Sequence, residues 1–394
     1  MSVTAPAPER EAPPGEESLS QGPAWRTTAS DAALFTLLLV ICIGIALGLA
    51  SALVAVTGSS PGEVWEAMIQ GSVGSTPAIT STLNHGAITL VVAVGACIAF
   101  RAGLVNIGPE GQLTFGALMG TTVGLALPFE GGFAILLVLL AAAAGGAVWA
   151  LVPAILKYWR GVSEVVTTLL LNFVAFQTVS FAVNRTYLLQ ETVPADSPVA
   201  AQPQSDRLPE GDRLGALADG VGYRLQITIV IAVVLALVAA FLIARSPWGL
   251  RLRMFGFNPH IARRVGAKPG RIGGGALLLA GAFAGLAGGL LLTGVVLRMQ
   301  GGFSSGVYGS FSNNFGWEGL LAALVARFRP LYAIPVAIFF GALRAGGGVL
   351  ASTGVDSSIV GVVQALVVLA VTLPAVLLQV RARRRQAAMQ RERT

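Results

Sequence analysis

The sequence predicts an all-α, polytopic membrane protein with about ten transmembrane helices, two inverted-topology repeats with broken helices, and both termini in the cytoplasm. Three observations lead there. Of 394 residues, 54% are hydrophobic and only 11% charged, with a mean hydropathy of +0.74, far more apolar than a soluble domain. Uncharged runs of roughly 20 residues recur, the length a helix needs to cross a hydrocarbon core about 30 Å thick. The basic residues crowd on alternate connections, as they do when cytoplasmic segments hold the positive charge.

Residues 1–31 are rich in Pro, Glu and Ser and lack a basic start before an apolar run, so they read as a disordered cytoplasmic tail rather than a signal peptide. The membrane portion covers 32–380. Clear spans fall at 32–57, 133–156, 165–183, 225–244, 272–297 and 357–380, and further ones at 86–100, 111–129 and 331–348 carry glycine, proline or a charge. The connection 245–271 holds seven basic side chains and the basic tail 381–394 holds six. With both in the cytoplasm, an even number of crossings must separate them, yet only three comfortable spans lie there. The short run "GLLAALVA" therefore belongs to a fourth, extended upstream through "SNNFGWEG", which puts Glu318 at membrane depth. On this count 20 basic residues are cytoplasmic and 6 are not. The outer loop 185–222 is acidic and carries Pro194, Pro198, Pro203 and Pro209.

Several functions are excluded. The net charge of +7 comes from arginines beside apolar runs rather than from a polar face of mixed basic and aromatic residues, so no nucleic acid is expected. Cys42 and Cys97 lie in apolar runs and the only histidines are His85 and His260, which leaves no disulfide or metal centre. Neither lysine, Lys157 nor Lys268, sits in a phosphate-binding Walker A loop. No nucleophile has a base at a useful spacing. The chain is read as a non-enzyme with no catalytic residue and no cofactor.

Two features carry the function. Asn106-Ile-Gly108-Pro-Glu110-Gly111-Gln-Leu113 aligns without gaps to Asn314-Phe-Gly316-Trp-Glu318-Gly319-Leu-Leu321, identical at five of eight positions. Five crossings separate the copies, so they enter the membrane from opposite sides, an arrangement found in many transporters. The repeat halves run over about 77–184 and 272–380. Broken helices expose backbone groups that lipid tolerates only around a cavity. The plainer reading is that Glu110 and Glu318 complement helix N-termini; the two readings are compatible. The second feature is "SPWGLRLRMFGFNPHIARRVGAKPGRI", where Phe257-Asn258-Pro259 turns into a short basic helix that Gly266 ends. Such a helix suits either a partner's groove or an interfacial topology anchor.

The segment "FRAGLVNIGPEGQLTFGAL" resembles the "FRAGLFNIGAEGQ" signature of ABC-importer permeases for nucleosides and simple sugars. Further segments follow in that family's order: "GVSEVVTTLLLNFVA", "WGLRLRMFGFNPHIARRVGAKPGR", "GAFAGLAGGL", "GWEGLLAALVAR", "FFGALRAGGG" and "GVDSSIVGVVQALVVL". The resemblance implies a plasma-membrane permease subunit that imports nucleosides, with the outer loop favouring the nucleoside branch over a simple sugar. It implies two ATP-binding subunits, an extracytoplasmic binding protein or lipoprotein, a second permease subunit (homologous or identical), and membrane lipids as partners. Residues 255–268 would be the coupling helix to the ATPases, with Phe257, Asn258, Pro259, Arg263, Arg264 and Gly266 on its motif. The translocation path would involve Asn106, Gly108, Glu110, Gln112, Asn172, Asn314, Gly316, Trp317 and Glu318. Trp317 either stacks on a base or packs among helices. The rival is an ion-coupled transporter in which Glu110 and Glu318 are protonated in turn.

Overall fold

The computed structural model describes residues 29–56, 60–193, 201–264, 266, 268–301, 303–304, 307–308 and 311–352, with isolated positions between 361 and 373. The chain forms a large compact unit, 46–369, and a smaller one pooled from 1–45 and 370–394. In chain order the helices are α1 (Ala29–Val56), α2 (Pro61–Val73), α3 (Thr76–Arg101), α4 (Pro109–Ala126), α5 (Gly132–Arg160) and α6 (Glu164–Val183). A hairpin of β1 (Ala216–Gly220) and β2 (Tyr223–Gln226) leads into α7 (Thr228–Arg245), α8 (Pro247–Phe257), α9 (Pro259–Arg264) and α10 (Pro269–Leu291). The two-residue strands β3 (Phe303–Ser304) and β4 (Val307–Tyr308) precede α11 (Phe315–Val325) and α12 (Pro330–Ser352).

Local chemistry sets these ends. Proline stands in the first turn of α2, α3, α4, α8 and α10, where its missing N–H costs nothing. The hydroxyls of Ser75 and Ser246 cap α3 and α8 by accepting from Ala78 N (3.3 Å) and Gly249 N (2.9 Å). Gly161, at φ 72°, closes α5: its N–H reaches Lys157 O (3.1 Å) and that of Val162 reaches Leu156 O (3.2 Å).

Among the described residues, six helices are long and apolar enough to cross a membrane: α3, α5, α6, α7, α12, and α10 with its π-helical extension to Val296. The second half of α1 and α2, bent by 115°, make a seventh if they count as one span. Helix α3 is the centre of the large unit, with residues 86–99 buried, and it touches α7, α10, α11 and α12. Helices α5, α6 and α7 instead turn one apolar face outward, including Leu140, Phe173 and Phe241, as a perimeter in contact with acyl chains does. Where α4, α5 and α10 meet, the backbones touch: a Cβ on Gly285 would sit 2.2 Å from the Ala142 carbonyl oxygen, and one on Gly116 would sit 2.4 Å from Gly285 Cα. Small residues allow this close membrane packing.

The structure departs from the sequence expectation in three places. Helix α7 starts at Thr228 rather than 225 because 223–226 is strand, pinned by Asn84, which donates to Arg224 O (2.8 Å) and accepts from Gln226 N (3.0 Å). In the expected outer loop 185–222, of which 194–200 with Pro194 and Pro198 lie outside the described residues, residues 205–214 form a folded strap along the end of α10: Ser205 N reaches Met299 O (2.8 Å), Leu208 N reaches Leu297 O (2.8 Å) and Leu214 N reaches Thr293 O (2.9 Å). The loop's acidic residues hold it there, with Asp212 accepting from Gly131 N (2.9 Å) and Glu191 facing Arg298 (3.6 Å). Third, "SNNFGWEGLLAALVAR" does not extend upstream as helix. Asn313 and Asn314 sit at φ 42° and 69°, a left-handed conformation that cannot continue a right-handed helix. Helix α11 has 11 residues, about 16 Å at 1.5 Å each, roughly half a span. The expected span at 357–380 and the tails 1–28 and 381–394 fall largely or wholly outside the described residues.

Candidate functional site

The first break follows α3. The chain turns at Gly103 (φ 70°) and runs non-helically to Gly108 before α4 begins. No side chain of α4's own N-cap, Gly108, can satisfy the exposed amides. Helix α6 supplies the partners instead. Asn172 Oδ1 accepts from Gly111 N (2.8 Å), Asn172 Nδ2 donates to Ile107 O (2.9 Å), and Thr168 Oγ1 accepts from Ile107 N (3.1 Å). Asn106 and Gln112 pair their amides (2.9 and 3.2 Å), and Asn106 Oδ1 also accepts from Gly108 N (3.0 Å). This network is buried, with Asn106, Gln112 and Asn172 each no more than 2% exposed.

The second break begins α11, whose N-cap Asn314 makes no side-chain cap of its own. The cap comes from Glu110, 204 residues upstream of Asn314. Its Oε1 accepts from the Ser312 hydroxyl and Asn314 N (3.2 Å), and its Oε2 accepts from Gly316 N (2.7 Å). A carboxylate on the first amides of a helix combines charge-assisted bonds with a favourable dipole. Position 316 must be glycine for this approach, since a Cβ there would lie 2.4 Å from Glu110 Cα. Glu110 therefore caps the helix of the other motif copy rather than its own.

Glu318 plays a different part. It pairs with Arg344 of α12 at 3.3 Å. Arg344 also donates to the Asn313 carbonyl and lies 4.0 Å from the centre of the Phe315 ring. The His85 ring stands 5.9 Å from that of Phe315.

Of the expected path residues, the structure brings Asn106, Gly108, Glu110, Gln112, Asn172, Gly316 and Glu318 together as buried groups. Asn314 is exposed and Trp317 half-buried. In this conformation the buried set holds two helix starts in contact. Sequence reasoning missed Ser312, Thr168 and Arg344. Arg344 had a signal, being the only basic residue between Arg329 and Arg381, a lone cation in an apolar helix.

The second candidate surface is the pair α8 and α9, broken at Asn258. Phe257 is 91% exposed, Pro259, Arg263, Arg264 and Gly266 are exposed, and Asn258 is half-buried. Gly266 ends the turn at φ 82°, its N–H reaching Arg263 O (3.0 Å). Ala262, buried, packs α9 into the cluster formed with Leu252, Phe255 and Ile272. The arrangement presents cations outward on a short, anchored helix. Among the described residues, no group of three His, Cys, Asp or Glu side chains is placed to hold a metal ion.

Residues 78–372 match the family described as branched-chain amino acid transport system / permease component. The chain is similar to the guanosine ABC transporter permease protein NupP of Bacillus subtilis, at 29% identity over 344 residues, 84% of this chain and 92% of that one. It is similar to the glucose ABC transporter permease protein TsgB13 of Haloferax volcanii, at 30% over 353 residues, 87% and 88%. It is also similar to the nucleoside ABC transporter permease protein NupB of Lactococcus lactis, at 25% over 335 residues, 84% and 88%. No solved structure matches the chain.

Proposed function

This chain belongs to the family of branched-chain amino acid transport system permease components, and we propose that it forms the path by which an ATP-driven importer carries nucleosides across the plasma membrane. The observation that carries the substrate class is the near full-length similarity to permeases for guanosine and for nucleosides. The glucose permease at comparable identity supports a second reading, a simple sugar as cargo.

In this reading ten spans put both termini in the cytoplasm, and the halves 77–184 and 272–380 are inverted repeats meeting at the two breaks. Two ATP-binding subunits dock at the coupling helix, 255–268, where Phe257, Pro259, Arg263, Arg264 and Gly266 are exposed. An extracytoplasmic binding protein or lipoprotein delivers substrate, and a second permease subunit, identical or homologous, completes the path. Asn314 and Trp317 offer surface beside the second break. A permease fed by a binding protein needs a path rather than a tight site.

The bonding of the two carboxylates favours ATP-driven over ion-coupled transport. Glu318 is engaged as an anion by Arg344, and a proton on it would break that ion pair; Glu110 is committed to capping α11 through three donors.

The test is uptake of labelled guanosine and of labelled glucose into proteoliposomes holding the chain with its ATPase and binding protein. Guanosine uptake that needs ATP and persists when the proton gradient is collapsed is expected. Uptake by the chain alone, abolished by an uncoupler, would overturn the ATP-driven reading, and ATP-driven uptake of glucose without guanosine would replace the substrate.

A further inference from the structure

A cavity of about 650 Å³ opens where the end of α3, helix α8 and the turn between α11 and α12 converge. Three arginines line it from three separate elements: Arg101, Arg253 and Arg327. Three aromatic rings accompany them, Phe100, Phe257 and Phe328. The rings of Phe100 and Phe328 stack at 4.0 Å and 15°, making a rigid wall between α3 and the turn. Arg101 Nε donates to Phe328 O (3.0 Å), which fixes the direction of its guanidinium. Arg327 and Phe328 both adopt left-handed backbone, at φ 51° and 55°, a conformation that non-glycine residues hold only where the surrounding fold enforces it.

The residues that line this cavity include no Asp or Glu. Arg253 and Arg329 lie close enough to repel Arg101, and among the described residues neither Arg101 nor Arg253 forms an ion pair. The sequence explains why. No Asp or Glu occurs between residues 67 and 109, nor between 220 and 317, nor between 319 and 355, so α3, α8 and the turn contain no carboxylate. Arginines that serve orientation alone reach singly into headgroups or water. Here three of them line one open depression, with planar donors suited to a tetrahedral oxyanion.

We propose that this cavity binds a phosphate group. The volume falls within the range of small-molecule sites and exceeds what a bare ion fills. The stacked rings of Phe100 and Phe328 give the organic part of a phosphate ester a surface to lie on. The phosphate comes either from a soluble ester or from the headgroup of an anionic phospholipid. The proposal does not depend on nucleosides being the cargo.

The test uses the full chain in nanodiscs of phosphatidylcholine, titrated with inorganic phosphate and with a nucleoside monophosphate, and separately in nanodiscs containing phosphatidylglycerol. Thermal unfolding is read in each. Arg253→Gln is the main variant: Arg253 is exposed and its own hydrogen bonds, to Gly249 O and Ala244 O, are long at 3.4 Å. Arg327→Gln is the second. A saturable rise in unfolding temperature is expected, with apparent affinity weakened roughly tenfold in each variant and largely kept in Arg253→Lys. A response to soluble phosphates in phosphatidylcholine identifies a soluble ester, and a response to phosphatidylglycerol alone identifies a headgroup. If both probes act equally on the wild type and the two Gln variants, the proposal fails. It also fails if the probes act on none of them while the variants lose an ATPase partner, since the arginines then form a protein-docking face.

Discussion

The two breaks share five of eight motif residues yet are built differently. At the first, α4 is capped by the neutral amide of Asn172, which gives one bond and takes another, inside a fully buried network. At the second, α11 is capped by a carboxylate from the first, and its rim is an ion pair with exposed, left-handed asparagines beside it. Caps therefore run in series, from α6 to α4 to α11. Equal motifs have unequal duties: the first break is a fixed support, and the second hangs from it. On the function proposed above, motion that opens a path past these helices is least costly at the second, where fewer buried bonds must be exchanged.

The largest expected effect comes from cutting the link between the breaks. Glu110→Ala leaves the Ser312 hydroxyl and two amides without their acceptor, and should lower stability by about 3–5 kcal/mol, read from unfolding in detergent. Wild-type behaviour would mean that α11 stands without this tie. Next is the support itself: Asn172→Ala removes two bonds and should cost about 2–3 kcal/mol, with Asn172→Asp in between because it keeps the acceptor and loses the donor. Smallest is Glu318→Gln, at about 1–2 kcal/mol, because the glutamine carbonyl still accepts one bond from Arg344. Arg344 keeps the Asn313 carbonyl and the Phe315 ring in that variant. If the second break is the moving one, Glu318→Gln changes uptake more than its small stability loss accounts for, while Asn172→Ala changes the two in proportion.

Long uncharged runs were readable because hydrophobic length is a one-dimensional property. Helix α6 ends at the expected residue and α10 with its extension ends one residue short of it. The errors occur where conformation depends on a partner distant in sequence. Residues 223–226 look like the start of an apolar helix, but Asn84 and β1 draw them into a hairpin. The stretch 311–314 looks extendable as helix, but the Glu110 carboxylate waits for its amides and turns two asparagines left-handed. The repeat singled out both glutamates, since a motif can be found twice by inspection. That one copy would cap the other was not legible, because no periodicity encodes which helix end a carboxylate faces. Ser312 carried no pattern at all, whereas the lone Arg344 did.

The contact between Glu110 and Gly316 also has a history written into it. Any side chain at 316 collides with the backbone at 110, not only with its carboxylate, so shortening residue 110 does not make room. Yet a change at 110 alone strands the amides of α11. Neither position offers a neutral first step, and the two halves of the chain, whatever else drifts between them, are bound to inherit this pair together.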